Sequence, residues 1–312
     1  MAAEALQSTL DADDYDEFAF YEEIAGELGL PWSGPPVVRR GEVEVAPGQA
    51  LGYLRWGESL PELVLLHGGG QNAHTWDMVA LALGRPLIAV DLPGHGRSSW
   101  REDRDYSPWR NAEALARVLP ELAPHALAVV GMSLGGATTI RLSAERPDLV
   151  PKAVIIDVTP QVNESVARLS REERGTVALV RERPTYDSFE EVAAAAVALS
   201  PYRPAAGVRR GVRHNMTRDA DGRWTWRYDL ANGPAGQPRT DFTALWNDVS
   251  RIAQPAMLVI GGESRFNQPA DIDEMRRRKP DLRIETVAGA GHAVQSDQPL
   301  ELVRLLRDFA LS

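Results

Sequence analysis

Gly131-Met132-Ser133-Leu134-Gly135-Gly136 stands between an apolar run at residues 127–130 and a helical stretch at residues 137–145. The pattern G-x-S-x-G between a strand and a helix describes a nucleophile elbow, a strained turn that lifts a serine hydroxyl above a sheet. Glycines two residues either side are needed because a side chain there would strike the neighbouring strand and helix. A Gly-rich turn that merely starts a helix has the same letters, so the flanking strand and helix carry the reading.

Working outward from the elbow, apolar runs at 63–66, 87–90, 153–156, 257–260 and 282–287 alternate with helical stretches. Such runs suit strands buried on both faces of a parallel sheet. Residues 43–45 and 51–56 read as an opening antiparallel pair around a Pro47-Gly48 turn. Ser107-Pro108 makes an N-cap and first helical position for a helix running to about Leu119. A last helix spans 299–311, with Leu302, Leu305, Leu306 and Phe309 on one face. The alternation breaks between Thr159 and Ser250, a stretch too long for a connection and too poor in core for an independent domain. The expected class is therefore α/β, with a mostly parallel central sheet formed by 37–158 and 251–312. A mainly helical cap, 159–250, is inserted after the sixth strand, above the strand C-termini where open sheets place ligands.

The 312 residues allow a full core, and 44% hydrophobic with 25% charged residues is ordinary for a globular chain. With no cysteine, thiolate nucleophiles, disulfides and thiolate metal sites are excluded. That absence fits a reducing, cytoplasmic setting. No signal-like start and no long apolar run appears, so no membrane is expected. The scattered histidines and the lack of a basic stripe point away from metal and nucleic acid. The net charge is -10, yet residues 1–38 hold nine acids and no Lys or Arg, which leaves about -1 for the rest. Residues 1–36 thus read as an acidic extension. Within it Phe20, Ile24 and Leu28 recur every four residues, as in a short amphipathic helix. It reads as an arm docked by that stripe, or as a lid or homodimer contact.

His67-Gly68-Gly69-Gly70 follows the run at 63–66. Acyl transfer needs backbone N–H donors aimed at a developing oxyanion, and a glycine loop lets the backbone approach closely. The candidate donors are the amides of Leu134 and of Gly69 or Gly70. Asp91-Leu92-Pro93-Gly94-His95-Gly96-Arg97-Ser98 reads as a structural rim loop in which Asp91 caps local amides.

These three motifs, with Gly289-Ala290-Gly291-His292 near the C-terminus, resemble the α/β-hydrolase superfamily in order, spacing and intervening strands from Val37 to Leu311. The resemblance implies the chain order serine, acid, histidine. His67, His74, His95 and His125 then come too early, and His292, in the loop after the last strand, is the implied base. Most members place the acid just after the seventh strand. Here that stretch is Gly261-Gly262-Glu263-Ser264-Arg265-Phe266, with arginine where aspartate would fall. Asp157, at the end of the sixth strand, is the alternative, as in small esterases and thioesterases and in haloalkane dehalogenases. Glu263 and Asp271 stay open beside it.

The implied reaction is hydrolysis of a small to medium carboxylic ester through an acyl-serine, without metal or organic cofactor. Carbon–carbon bond hydrolases and cofactor-free haloperoxidases share the serine, and a non-enzymatic binding protein shares the fold. For the small-molecule substrate, Met132 beside the nucleophile and Arg210, Arg213, His214 and Trp226 in the cap are the candidate contacts. Residues 201–218 carry five arginines and no acid, so Arg210 and Arg213 are candidates to clamp a carboxylate on a monoester. A solvated helix face is the plainer reading of the same residues.

Overall fold

The computed structural model describes residues 15–229 and 240–312. Along the chain come helix α1 (Tyr21–Glu27), strands β1 (Val38–Ala46), β2 (Gln49–Trp56) and β3 (Leu63–Leu66), helix α2 (Asp77–Leu83) and strand β4 (Leu87–Val90). Helix α3 (Pro108–Leu122), strand β5 (Ala128–Met132), helix α4 (Leu134–Glu145) and strand β6 (Ala153–Ile156) follow. Next are helices α5 (Val162–Ala167), α6 (Arg171–Arg174) and α7 (Thr176–Glu182), strand β7 (Thr185–Tyr186), helices α8 (Phe189–Ala198) and α9 (Ala205–Asn215), and strands β8 (Met216–Arg218) and β9 (Trp224–Trp226). Helix α10 (Leu245–Val249), strand β10 (Ala256–Gly261), helix α11 (Pro269–Arg278), strand β11 (Arg283–Val287) and helices α12 (Val294–Asp297) and α13 (Pro299–Phe309) end it.

Eight strands form one sheet in the order β1-β2-β4-β3-β5-β6-β10-β11. β1 pairs antiparallel with β2 and β2 antiparallel with β4; every later pairing is parallel. The apolar runs explain the middle of the sheet. Every residue of β3, β4, β5, β6 and β10 is buried, because helices cover both faces. The chain is an α/β-hydrolase fold.

Several boundaries differ from the sequence reading. The opening hairpin is longer than 43–45 and 51–56, because backbone pairing from Val38 to Trp56 continues past the apolar residues. The strand expected at 127–130 slides to Ala128–Met132, since Leu127 is 42% exposed at its mouth. The helix from Pro108 runs on to Leu122 despite Pro120 inside it, with Leu119 and Leu122 buried.

Between β6 and β10 the chain builds mostly helices, but it also adds a three-stranded sheet, β7-β9-β8, that periodicity did not signal. Helix α10 lies within the span expected as cap, yet it packs on α4 and α11 of the core layer. Leu245 and Val249, four residues apart, bury one face there. Among the described residues, no helix is long and apolar enough to cross a membrane.

The acidic segment docks on its own chain. Phe20, Tyr21 and Ile24 are buried and Leu28 packs beside them, as the four-residue stripe implied. Glu17 accepts from Arg40 Nη2 at 2.6 Å and pairs with His74 Nε2 at 2.9 Å. Four of the nine N-terminal acids, Glu4, Asp11, Asp13 and Asp14, lie outside the described residues.

Candidate active site

The elbow turns where β5 meets α4. Ser133 has φ 51° and ψ -112°, a strained conformation for a residue with a side chain. The close approach explains the glycines: a Cβ on Gly131 would lie 2.2 Å from Gly135 O, and one on Gly135 2.3 Å from Leu66 O. The Ser133 amide donates to Ile156 O at 2.9 Å, tying the turn to β6.

Asp157 follows directly at the C-terminal end of β6, also at positive φ (50°) and fully buried. Its Oδ1 accepts from Gly261 N and Asn267 Nδ2, each at 3.1 Å, and its Oδ2 from Ser264 Oγ at 2.5 Å. The same Oδ2 meets His292 Nδ1 at 2.7 Å, and His292 Nε2 meets Ser133 Oγ at 3.1 Å. Phe266 lies flat on the imidazole, with ring centres 3.6 Å apart and planes 11° apart. The histidine loop reaches this position because its neighbour is bare: a Cβ on Gly261 would stand 2.1 Å from Gly291 O. The arrangement is a serine hydroxyl on one ring nitrogen and a buried, fully bonded carboxylate on the other. That geometry can take a proton from the serine and hold the resulting imidazolium.

The other candidate acids are elsewhere. Asp271 accepts from Gln268 N at 3.1 Å, capping α11. Glu263 is exposed, and no bond joins it to His292. The stretch after β10 thus supplies donors to the Asp157 carboxylate. Ser264, Phe266 and Asn267 went unseen as site residues in the sequence; Gly261-Gly262-Glu263-Ser264 stood out there, but no spacing shows that its serine reaches across to β6.

Gly69 and Leu134 line the pocket with Ser133, whereas Gly70 faces Val180 on the other side of its loop. The Gly68 amide is already given to Gln71 Oε1 at 3.0 Å. Asp91 is bound by Ala73 N, Arg97 N and Arg40 Nη1 at 2.7–3.0 Å. Burial pushes the rings of His67 and His95 down to about 4 and about 3. Both are neutral supports of the rim, His95 stacking on Tyr228 at 4.1 Å.

Met132 lines the pocket beside Ser133. The four cap candidates do not join it. His214 and Trp226 line a separate chamber, as does Arg210. The expected carboxylate clamp is corrected by what holds its guanidinium groups. Arg210 gives Nη1 to Glu23 at 2.6 Å and Nη2 to Glu27 at 2.7 Å, both on α1. Arg213 is buried between the faces of Tyr15 and Trp224, 3.8 and 4.9 Å from the ring centres. These arginines fasten the acidic segment to the cap. Arg210→Ala is expected to cost on the order of 2–3 kcal/mol in chemical denaturation, because two carboxylates lose their partner in a partly buried setting. A variant as stable as the wild type would contradict that role.

Among the described residues, one trio has ligand atoms close enough to suggest a metal: His74, Asp77 and His214. The two rings stack in parallel, 4.0 Å apart and 11° inclined, so their in-plane lone pairs do not converge. Both nitrogens of His74 are also taken, Nδ1 by Asp77 at 2.8 Å and Nε2 by Glu17 at 2.9 Å. The trio is an ionic clasp as arranged. Burial disfavours the charged His74 ring, but Asp77 and Glu17 outweigh it and push it up to about 9. A raised value in the folded state stabilises fully below the ordinary 6.5 and fades as pH climbs through about 9. The melting temperature of wild type relative to His74→Gln is therefore expected to fall between pH 6.5 and 9. A constant difference across that window would refute it.

The profile described as the alpha/beta hydrolase family matches residues 63–305. The chain is 48% identical to the esterase Rv0045c of Mycobacterium tuberculosis, over 94% of this chain and 95% of that one. A solved structure of that M. tuberculosis esterase superimposes with a TM-score of 0.83 at 46% identity, covering 96% of this chain and all of the other. The sn-1-specific diacylglycerol lipase ABHD11 of Mus musculus is 28% identical, over 80% of this chain and 81% of its own.

Proposed function

Because the chain belongs to the alpha/beta hydrolase family and is a carboxylic ester hydrolase of it, we propose that Ser133 is its nucleophile, His292 its general base and Asp157 the orienting acid. The observation that carries this is the unbroken path from Ser133 Oγ through both nitrogens of His292 to Asp157, at 3.1 and 2.7 Å. Ser133 attacks the ester carbonyl as His292 Nε2 takes its proton, and the amides of Leu134 and Gly69 hold the oxyanion. His292 then protonates the leaving alcohol and activates water, which releases the acid.

The substrate is a neutral ester. The catalytic pocket, about 190 Å³, is walled by Val162, Val166, Val177, Val180, Phe242 and Phe266. Its one guanidinium among the described residues, that of Arg104, pairs with Asp229 at 2.8 Å. Among the described residues a substrate carboxylate would find no unpaired cation there, and burying it would be costly. His292 also faces a second opening, bordered by Tyr202 and Arg265, through which the alcohol leaves. The bare cysteine count supports a cytoplasmic setting.

A panel of p-nitrophenyl esters tests this. Butyrate is expected to exceed the hemisuccinate by about tenfold or more in kcat/KM, and Ser133→Ala should hydrolyse neither. Preference for the anionic ester, or turnover of a carbon–carbon-linked dienoate in place of both, would sink the reading.

A further inference from the structure

His292 is placed by its backbone, and that backbone is held from outside its loop as well as from within. On the inner side Glu263 N donates to Ala290 O at 2.9 Å. On the outer side stands Asp297, the last residue of α12, whose Oδ2 accepts from Gly291 N at 2.9 Å. Gly291 directly precedes the histidine. The other oxygen of Asp297 meets Nε of Arg203 at 3.1 Å, and the side chains of Arg203 and Asp297 are 19% and 5% exposed.

Arg203 belongs to the cap. It lies in the turn between α8 and α9, where its Nη2 also donates to Ser200 Oγ at 3.2 Å. Its neighbour Tyr202 reaches the same loop: a Cβ on Gly291 would stand 3.1 Å from Tyr202 Cδ2 and Cε2. Two consecutive cap residues therefore bear on the residue before the base, one through a carboxylate and one through a ring. Burial works against charge on both members of the ion pair, and each is the main influence that opposes it in the other. Either charge buried alone would be costly, so the two form one unit.

We infer that Arg203 and Asp297 are positioning residues for the general base, so that the cap turn at 200–204 helps to set His292 against Ser133. The inference rests on the reading of His292 as that base. Asp297 fixes the Gly291 amide, that amide fixes the start of His292, and the ring then meets Ser133 Oγ at 3.1 Å. A hydrogen bond of that length has little slack. A misplacement of about 1 Å, caused by a residue away from the chemistry, can cost on the order of 10² in rate. The cap thus contributes to catalysis as well as to the pocket wall.

The test takes the full chain with Arg203→Met, Arg203→Lys, Asp297→Asn, and Arg203→Met combined with Asp297→Asn. Each is assayed on p-nitrophenyl butyrate and by its rate of labelling with a fluorophosphonate, which reports the activated serine without turnover. Arg203→Met and Asp297→Asn should each lower kcat and the labelling rate by about tenfold, with KM within about twofold of wild type. Arg203→Lys should recover most of that loss, since it returns a cation to Asp297. The double variant should be scarcely slower than the slower single one, because Arg203 acts through Asp297. It leaves neither charge buried alone, and it decides by itself if circular dichroism shows the single variants misfolded. Folded variants with wild-type kcat and labelling overturn the proposal, whatever their melting temperature. A loss confined to KM overturns it too, since Arg203 would then act on substrate binding alone. Wild-type labelling in His292→Ala overturns the reading of the base instead.

Discussion

Ser133→Ala and His292→Ala are each expected to lower kcat by about 10⁶, the scale on which serine-protease triads lose activity when either group is removed. The reason lies in the single path between them: His292 Nε2 is the base that meets Ser133 Oγ, at 3.1 Å. Without the hydroxyl there is nothing to acylate, and without the ring there is nothing to take its proton. Because the two act as one unit, the double variant should be scarcely worse than either single one. The fold should survive both changes. Stopped-flow and long-time-course assays on p-nitrophenyl butyrate, with circular dichroism as the control, read the effect. A single variant that keeps more than about a hundredth of wild-type kcat would remove Ser133 or His292 from the mechanism.

Asp157→Asn should lower kcat by about 10⁴ with little change in KM, by analogy with loss of the same charge in a protease triad. The carboxylate sets the His292 tautomer through Nδ1 at 2.7 Å and stabilises the imidazolium formed in the transition state. An amide can present its NH₂ to that nitrogen and so select the wrong tautomer. Glu263→Gln and Asp271→Asn should stay within about tenfold, since one is exposed and the other caps α11. A large loss in either of those two, with Asp157→Asn near wild type, would move the acid to the loop after β10. Ser264→Ala removes the shortest of the donors to Asp157, 2.5 Å from Oδ2. It should lower kcat by about tenfold, because the carboxylate then loses part of the bonding that fixes it against the ring. Unchanged kcat in that variant would make Ser264 a bystander.

Much of this was legible in the residues because the constraints are local. The elbow needs glycine at 131 for a contact within its own turn and at 135 for the close approach of Leu66, and both needs fall at fixed spacing around the serine, which leaves a pattern in the sequence. The parallel strands showed as short apolar runs because both of their faces are buried. Arg265 in the usual acid position, together with Asp157 at the end of β6, pointed to the less common placement through chain order alone. What could not be read was set by contacts distant in sequence. Arg210 and Arg213 sit in a run of arginines without an acid, which suggested a free positive surface. Their partners, Glu23, Glu27 and Tyr15, lie nearly two hundred residues earlier, and only the folded chain brings them together. Ser264 and Asn267 are ordinary loop residues until β10 is laid beside β6. The small sheet β7-β9-β8 has strands of two or three residues, too short to show a period.

The central claim is that Ser133 is an activated nucleophile, and covalent labelling tests it most directly. The wild type is treated with a fluorophosphonate, digested, and its peptides weighed by mass spectrometry, with Asp157→Asn and His292→Ala treated in parallel. The account predicts one stoichiometric adduct on the peptide that contains Ser133, formed far more slowly in both variants. An adduct on another residue, or labelling of Ser133 at the same rate without His292, would contradict it.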